Sequence, residues 1–234
     1  MEYYFILVEP SVPENIGAAA SAIKTMGFSN LRLVNPPGYP QEKMFHVAHA
    51  SHDILNSIKI FDDLENAIAD LDFTIATSAK HRSIRNDYHH AAIIPQILEK
   101  KSRSVSKTGI IFGREESGLD NEEIRLCDIV SFIPMKKKYP SLNLSQAVML
   151  YAYLLSEHTI VRKKQARSVG KEKFRQVILK ADNMIEKISI MKGSNIYNRI
   201  FERLALLGDD DLNLVLSILA KFDKFIDARG KKKD

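Results

Sequence analysis

The sequence predicts an α/β fold on a mostly parallel sheet, followed by an all-helical module. Three observations carry that prediction. Over the first 156 residues, short apolar runs of β type alternate with helix-like stretches. After Glu157 the strand signals stop and only helical periodicity remains. The charge changes sign at the same place: residues 1–156 carry a net −2 and residues 157–234 a net +7.

Taken in order, Tyr3–Val8 (YYFILV) is a buried-strand pattern bounded by Pro10 and Pro13. Glu14–Met26 is helical and is ended by Gly27. Leu31–Val34 is a second strand, closed by Asn35-Pro36-Pro37-Gly38. Further strands are expected at Ile58–Phe61, Phe73–Thr77, Gly109–Phe112 and Ile129–Ile133. Helices are expected at Leu64–Asp70, Ile94–Lys100 and, with the strongest pattern, Leu144–Glu157. Parallel sheets of this kind bind ligands at the carboxyl ends of their strands. Beyond them, Lys171–Met191, Asn195–Leu207 and Asp210–Asp227 read as helices, the last opened by Asp209-Asp210-Asp211. The expected domains are residues 1–157, a basic linker at 158–170 and a helical extension at 171–234.

Composition narrows the function classes. The chain has 234 residues, 45% hydrophobic and 27% charged, a globular balance rather than a disordered one. No apolar run reaches the roughly 18 residues of a membrane span. The start, Met1-Glu2-Tyr3-Tyr4, has no basic n-region, and a cytoplasmic protein is expected. The single cysteine, Cys127, makes no internal disulfide. Between Arg162 and Lys180 lie eight basic residues and one acid, Glu172, a run that attracts a polyanion such as RNA or, equally, is a solvated linker.

Several motifs fail on their chemistry. Gly113-Arg-Glu-Glu-Ser-Gly118 mimics the start of a phosphate loop, but Leu119-Asp120 stand where Lys and Ser/Thr are needed. No GxGxxG follows the first strand, and no GxSxG elbow surrounds Ser141 or Ser145. His46, His49 and His52 are three apart, short of a helical turn, and no further ligand completes a metal set. No metal is expected.

Three segments, each bordering a strand, carry more together. They are Pro13-Glu-Asn15-Ile-Gly17-Ala-Ala-Ala-Ser21-Ala-Ile-Lys24-Thr-Met-Gly27-Phe, then Ile111-Phe-Gly113-Arg114-Glu115-Glu116-Ser-Gly118-Leu119, then Ser141-Leu142-Asn143-Leu144-Ser145-Gln-Ala147-Val148. In this order they resemble motifs one to three of the SPOUT RNA methyltransferases, SpoU/TrmH branch, and most of all the TrmJ-like tRNA 2′-O-methyltransferases. The resemblance continues through Thr77-Ser78-Ala79 and into the C-terminal helices at Leu212-Asn213-Leu214 and Ile218-Leu219-Ala220.

That resemblance implies a SPOUT-type α/β sheet with a trefoil knot, a homodimer whose subunits share each active site, and S-adenosylmethionine as cofactor. It implies methyl transfer to a ribose 2′-hydroxyl of RNA, most of all tRNA. By matched position, the cofactor contacts fall at Thr77, Ser78, Ala79, Gly113, Ile133, Ser141, Leu142 and Asn143. Asn15, Glu115, Ser141 and Asn143 fall near the reaction centre. Arg114 is a candidate phosphate contact, with Arg162, Lys163, Lys164 and Arg167 as further RNA contacts.

One position departs from the pattern. Ser21 stands where the family has the arginine assigned to activating the ribose hydroxyl, and a serine has neither its charge nor its forked donors. Two alternatives therefore stand beside tRNA methylation: an RNA-binding protein of the same fold with impaired catalysis, and a 2′-O-methyltransferase for rRNA.

Overall fold

The structure, a computed structural model, describes residues 1–38, 41–79, 82–85, 87–136, 142–161 and 169–230. The strands are β1 (Glu2–Val8), β2 (Asn30–Val34), β3 (Lys59–Phe61), β4 (Phe73–Thr77), β5 (Tyr88–His90), β6 (Lys107–Phe112) and β7 (Ile129–Phe132). They form one sheet in the order β3-β2-β1-β6-β4-β7-β5, with every neighbouring pair parallel. The helices are α1 (Pro13–Thr25), α2 (Gln41–Val47), α3 (His52–Asn56), α4 (Leu64–Ile68), α5 (Ile94–Lys100), α6 (Asn121–Leu126) and α7 (Leu144–Val161), then α8 (Val169–Lys187), α9 (Asn195–Leu204) and α10 (Asp209–Gly230).

The central strands are apolar on both faces because helices cover both faces. Phe5, Ile6, Leu7 and Val8 of β1 are all buried, as are Ile110, Ile111 and Phe112 of β6. Ile6, Val8, Ala76, Ile111 and Val130 share one cluster with Leu64 and Ala67 of α4 and Ile124 of α6. Helix α1 starts at Pro13, whose fixed φ suits the first helical turn. It buries Ile16, Ala19, Ala20 and Ile23 and packs against α2 and α7. Gly17 makes the α2 approach possible: a Cβ there would stand 2.1 Å from the Met44 carbonyl oxygen.

The expected strands are all present, with shifts of a residue or two at their ends. The last turn of α7 continues past Glu157 to Val161, and α9 stops at Leu204 rather than Leu207. Four elements have no counterpart in the sequence reading: β5, α2, α3 and α6, all of seven residues or fewer. His46 lies in the last turn of α2, His49 takes a φ of 45° in a 3₁₀ turn, and the His52 ring lies edge-on to Phe45. Among the described residues no group of three His, Cys, Asp or Glu side chains converges as metal ligands would. No helix among them is long and apolar enough to cross a membrane.

By contacts the chain divides into two units, Met1–Pro95 with Lys107–Gln165, and Gln96–Ser106 with Ala166–Asp234. The second unit is helical around Phe174, Val177, Ala181, Leu212 and Leu219. The fully buried Lys101 belongs to it: its ammonium donates to the Leu207 carbonyl at 3.0 Å and lies 4.1 Å from the centre of the Phe174 ring. Arg103 adds its backbone N–H to Asp209 (2.6 Å) and its guanidinium to Asp210 (2.9 Å).

A buried arginine ties β2 to α4 in the first unit. Arg32 stacks on Tyr4, 4.2 Å from the ring centre, and donates to both oxygens of Asp70 at 2.6 and 3.0 Å. The Arg32 hydrogen bonds, with those from Lys107, hold the Asp70 carboxyl well below the usual carboxylate range, against the desolvation that opposes them. Its contribution to stability is therefore complete above the unfolded-state pKa of about 3.9 and is lost as pH falls through the depressed folded value. Melting temperatures are expected to fall below about pH 4 in the wild type, and less steeply in Asp70→Asn, which carries no titrating group there. Parallel slopes in the two proteins would contradict this.

Candidate active site

Strands β4, β6 and β7 lie side by side, and a pocket opens at their carboxyl ends with a volume of about 200 Å³. Six of the residues matched to cofactor contact line it: Thr77, Ser78, Ala79, Gly113, Ile133 and Leu142. Asn143 does not line it but lies at the start of α7, and Ser141 lies outside the described residues. Thr77 Oγ donates to the Ile111 carbonyl at 2.9 Å, and the Ser78 N–H bonds Ser131 O at 2.9 Å, so β4 is fixed to both neighbours where it reaches the pocket. Phe112 and the buried Tyr151 meet edge to face behind it. Burial pushes the Tyr151 phenol well up, and its hydroxyl donates to Ser131 Oγ at 2.8 Å. Tyr151 is a neutral wall.

The loop from Gly113 to Asp120 forms one side of the pocket. A Cβ on Gly113 would fall 2.1 Å from the Gly118 carbon and from the Leu119 nitrogen. Only glycine lets the chain leave β6 and double back so closely. Arg114 and Gly118 form an isolated bridge, and the Arg114 guanidinium is held between two carboxylates: Nε on Glu9 at 2.8 Å, and Nη1 and Nη2 on Glu123 at 3.0 Å each. These hydrogen bonds raise the Arg114 pKa still further, and Arg114 keeps Glu9 below the usual carboxylate range. Glu9 reaches this position from a backbone φ of 44°, a conformation that costs a non-glycine residue of order 1–3 kcal/mol. Glu123 also closes a capping box with Asp120 at the start of α6. Arg114, expected as a phosphate contact, is held between these two carboxylates and ties the loop to Glu9 and to α6.

The three motifs are linked through Glu115 and Asn15. Glu115 Oε2 accepts from the Ser11 N–H (2.9 Å) and the Ser11 hydroxyl (2.8 Å), and its Oε1 from the Val12 N–H (3.3 Å) and Asn15 Nδ2 (2.8 Å). Val12, the residue before α1, supplies no side-chain cap, and Glu115, 103 residues along the chain, accepts the Val12 N–H and that of Ser11 before it. Asn15 in turn accepts from Asn143 Nδ2 at 2.9 Å, and Asn143 Oδ1 accepts from the Ser145 N–H and hydroxyl at 2.9 and 2.7 Å. Burial works to raise the Glu115 carboxyl, but the bonds from Ser11 and Asn15 hold it below the ordinary range. It is an ionised acceptor with its lone pairs engaged.

Ser21 lies elsewhere. It is half-buried in α1, its carbonyl accepting from Thr25 Oγ at 2.8 Å, and it does not line the pocket. Lys24, one turn on, is taken up by Asp53 and the Ala50 carbonyl, both at 2.6 Å. The residue that the sequence reading missed is Arg82, which lines the pocket beside the 114–118 loop. Arg162, Lys163, Lys164 and Arg167 lie outside the described residues.

Comparison with known proteins identifies the family. The model of the SpoU rRNA Methylase family matches residues 2–153. The uncharacterized tRNA/rRNA methyltransferase LasT of Escherichia coli K12 is 37% identical, covering 97% of this chain and 99% of its own length. TrmJ of Methanocaldococcus jannaschii, a tRNA (cytidine-2′-O-)-methyltransferase, is 36% identical over 78% of this chain and 80% of its own. Among solved structures, a probable methylase family protein from Haemophilus influenzae Rd KW20 superposes with a TM-score of 0.70 at 28% identity, covering 97% of this chain and 98% of its own. TrmJ from Z. mobilis ZM4 gives 0.65 at 25% identity, covering 95% of this chain and all of its own (100%). With the three motifs joined by the hydrogen bonds of Glu115, Asn15 and Asn143 and these matches spanning the sheet, the chain belongs to the SpoU rRNA methylase family and is a methyltransferase.

Proposed function

We propose that this protein binds S-adenosylmethionine in the pocket at the ends of β4, β6 and β7 and methylates a ribose 2′-hydroxyl of RNA, with tRNA as the substrate. The carrying observation is the convergence of Thr77, Ser78, Ala79, Gly113, Ile133 and Leu142 on one cavity. Its lining fits a nucleoside: apolar Phe112, Ile133 and Leu142 for a ring, and strand-end backbone with Gly113 for polar edges. When bound, the sulfonium supplies the methyl group. The chain's own residues position and organise. Glu115 and Asn143 fix Asn15 from both sides, so that its amide is held at a set orientation at the head of α1. The tRNA assignment is supported by the TrmJ relative from Methanocaldococcus jannaschii, a tRNA (cytidine-2′-O-)-methyltransferase.

The same reading carries a trefoil knot, consistent with β4 lying between the later strands β6 and β7. It also carries a homodimer, consistent with Leu150 and Tyr153 exposed on α7. Residues 1–157 would then be the catalytic domain and 171–234 an RNA-binding extension joined by the basic stretch 158–170. A second reading, an RNA-binding protein with impaired turnover, is favoured by one observation: the motif-one arginine is Ser21.

The test is nucleoside mass spectrometry of unmodified tRNA after incubation with labelled cofactor. A 2′-O-methylated nucleoside is expected from the wild type. If the wild type binds cofactor yet transfers nothing, and Ser21→Arg gains the 10²–10⁴-fold typical of acid–base assistance, the second reading replaces the first (gain of about that order).

A further inference from the structure

We propose that Arg82 is the cation that grips an RNA phosphate at the mouth of this pocket. The inference rests on the methyltransferase reading above and adds to it a residue that the matched motifs leave unassigned.

The argument begins with the cations that are spent. Ser21 supplies no charge. Lys24 is paired with Asp53 at 2.6 Å and is not among the pocket-lining residues. Arg114 is neutralised by Glu9 and Glu123 and braces the loop. Arg82 differs from both. Its backbone N–H donates to Tyr88 Oη at 2.8 Å, which sets the chain position. Its guanidinium donates only to neutral acceptors, Asn121 Oδ1 at 3.1 Å and the Ser117 carbonyl at 3.2 Å. Among the described residues no carboxylate lies within ion-pair distance of it. Two bonds engage Nη1 and Nη2, and a guanidinium has five N–H donors, so most of the fork remains for a ligand.

Position and field agree. Arg82 follows the end of β4, three residues past Ala79, and its Nη2 stands 4.0 Å from where a Cβ on Gly118 would be. The missing side chain keeps that flank open. The 114–118 loop also carries Glu115 and the exposed Glu116, which repel a polyanion. A phosphodiester approaching this mouth meets an unneutralised cation at Arg82 alone among the described lining residues. A planar fork also suits two phosphate oxygens at once, which an ammonium does not.

The test compares wild type, Arg82→Gln, Arg82→Lys and Arg114→Gln, each as full chain. Arg82→Gln keeps an amide donor for Ser117 or Asn121 while removing the charge, so folding is preserved where alanine would leave a gap. Affinity for an unmodified tRNA transcript is measured across a salt series, and S-adenosylmethionine affinity by calorimetry. In Arg82→Gln the slope of log K against log salt is expected to shrink by about 1, the value for one lost phosphate contact. Cofactor affinity is expected to stay within about twofold. Arg82→Lys should recover the slope but not the full affinity, and Arg114→Gln should lower the melting temperature with the slope unchanged. An unchanged slope in Arg82→Gln, with wild type binding tRNA, overturns the proposal. So does a loss of cofactor affinity with an unchanged slope, which would place Arg82 on the cofactor carboxylate instead. A wild type that binds cofactor but no RNA removes the RNA-methylation reading itself, and this contact with it.

Discussion

Glu115→Ala is expected to lower the melting temperature by roughly 10 °C and to abolish methyl transfer. The substitution removes four acceptor contacts at once and leaves the Ser11 and Val12 N–H groups and the Asn15 amide without their carboxylate. Hydrogen bonds to charged groups are worth about 1.5–3 kcal/mol each. Water reaches part of this site, so a net loss of about 3 kcal/mol is the reasonable figure, and each kcal/mol moves a domain of this size by about 2–4 °C. Glu115→Gln should fall between, because one carboxamide nitrogen then faces a donor. Thermal melting and the nucleoside assay on the same preparations decide the matter. A Glu115→Ala protein with wild-type melting would show that the head of α1 needs no cap from the loop.

Gly113→Ala should abolish cofactor binding. The added methyl would collide with backbone, not with the end of a flexible side chain, so neither the Gly118 carbon nor the Leu119 nitrogen can yield without moving the whole 114–118 loop. Overpacking commonly costs about 1–3 kcal/mol where side chains adjust, and a backbone collision lies at or above that range. Since the loop is one wall of the pocket, calorimetry should detect no S-adenosylmethionine binding even if the sheet still folds. Retained affinity would mean that the loop has a second conformation compatible with the pocket.

How much of this was legible beforehand depended on whether the signal was local. Strands β1, β4, β6 and β7 are buried for most of their length and so appear in the sequence as mainly apolar runs. Strand β5, Tyr88-His89-His90, is short and polar and exists because β7 pairs with it. Helix α6 did carry a local sign, Asp120 followed three residues later by Glu123, which is the capping box seen in the structure. At the site, the strand-end residues 77–79 and Gly113 could be placed from their motifs. The bracing of Arg114 could not, since Glu9 lies 105 residues away and no spacing rule links them. Arg82 was passed over because a single arginine in a loop says nothing until its neighbours' charges are known to be cancelled.

The second unit takes its residues from two separated stretches, Gln96–Ser106 as well as Ala166–Asp234. No single cut in the gene therefore releases it. Deleting everything after Glu157 would strip the Lys101 ammonium of the Leu207 carbonyl and the Phe174 ring, and Arg103 of Asp209 and Asp210, leaving a cationic segment between α5 and β6 without these partners. The helical part is not a cassette to be trimmed or exchanged; whatever replaces it must also seat residues 96–106, which are inherited with the sheet.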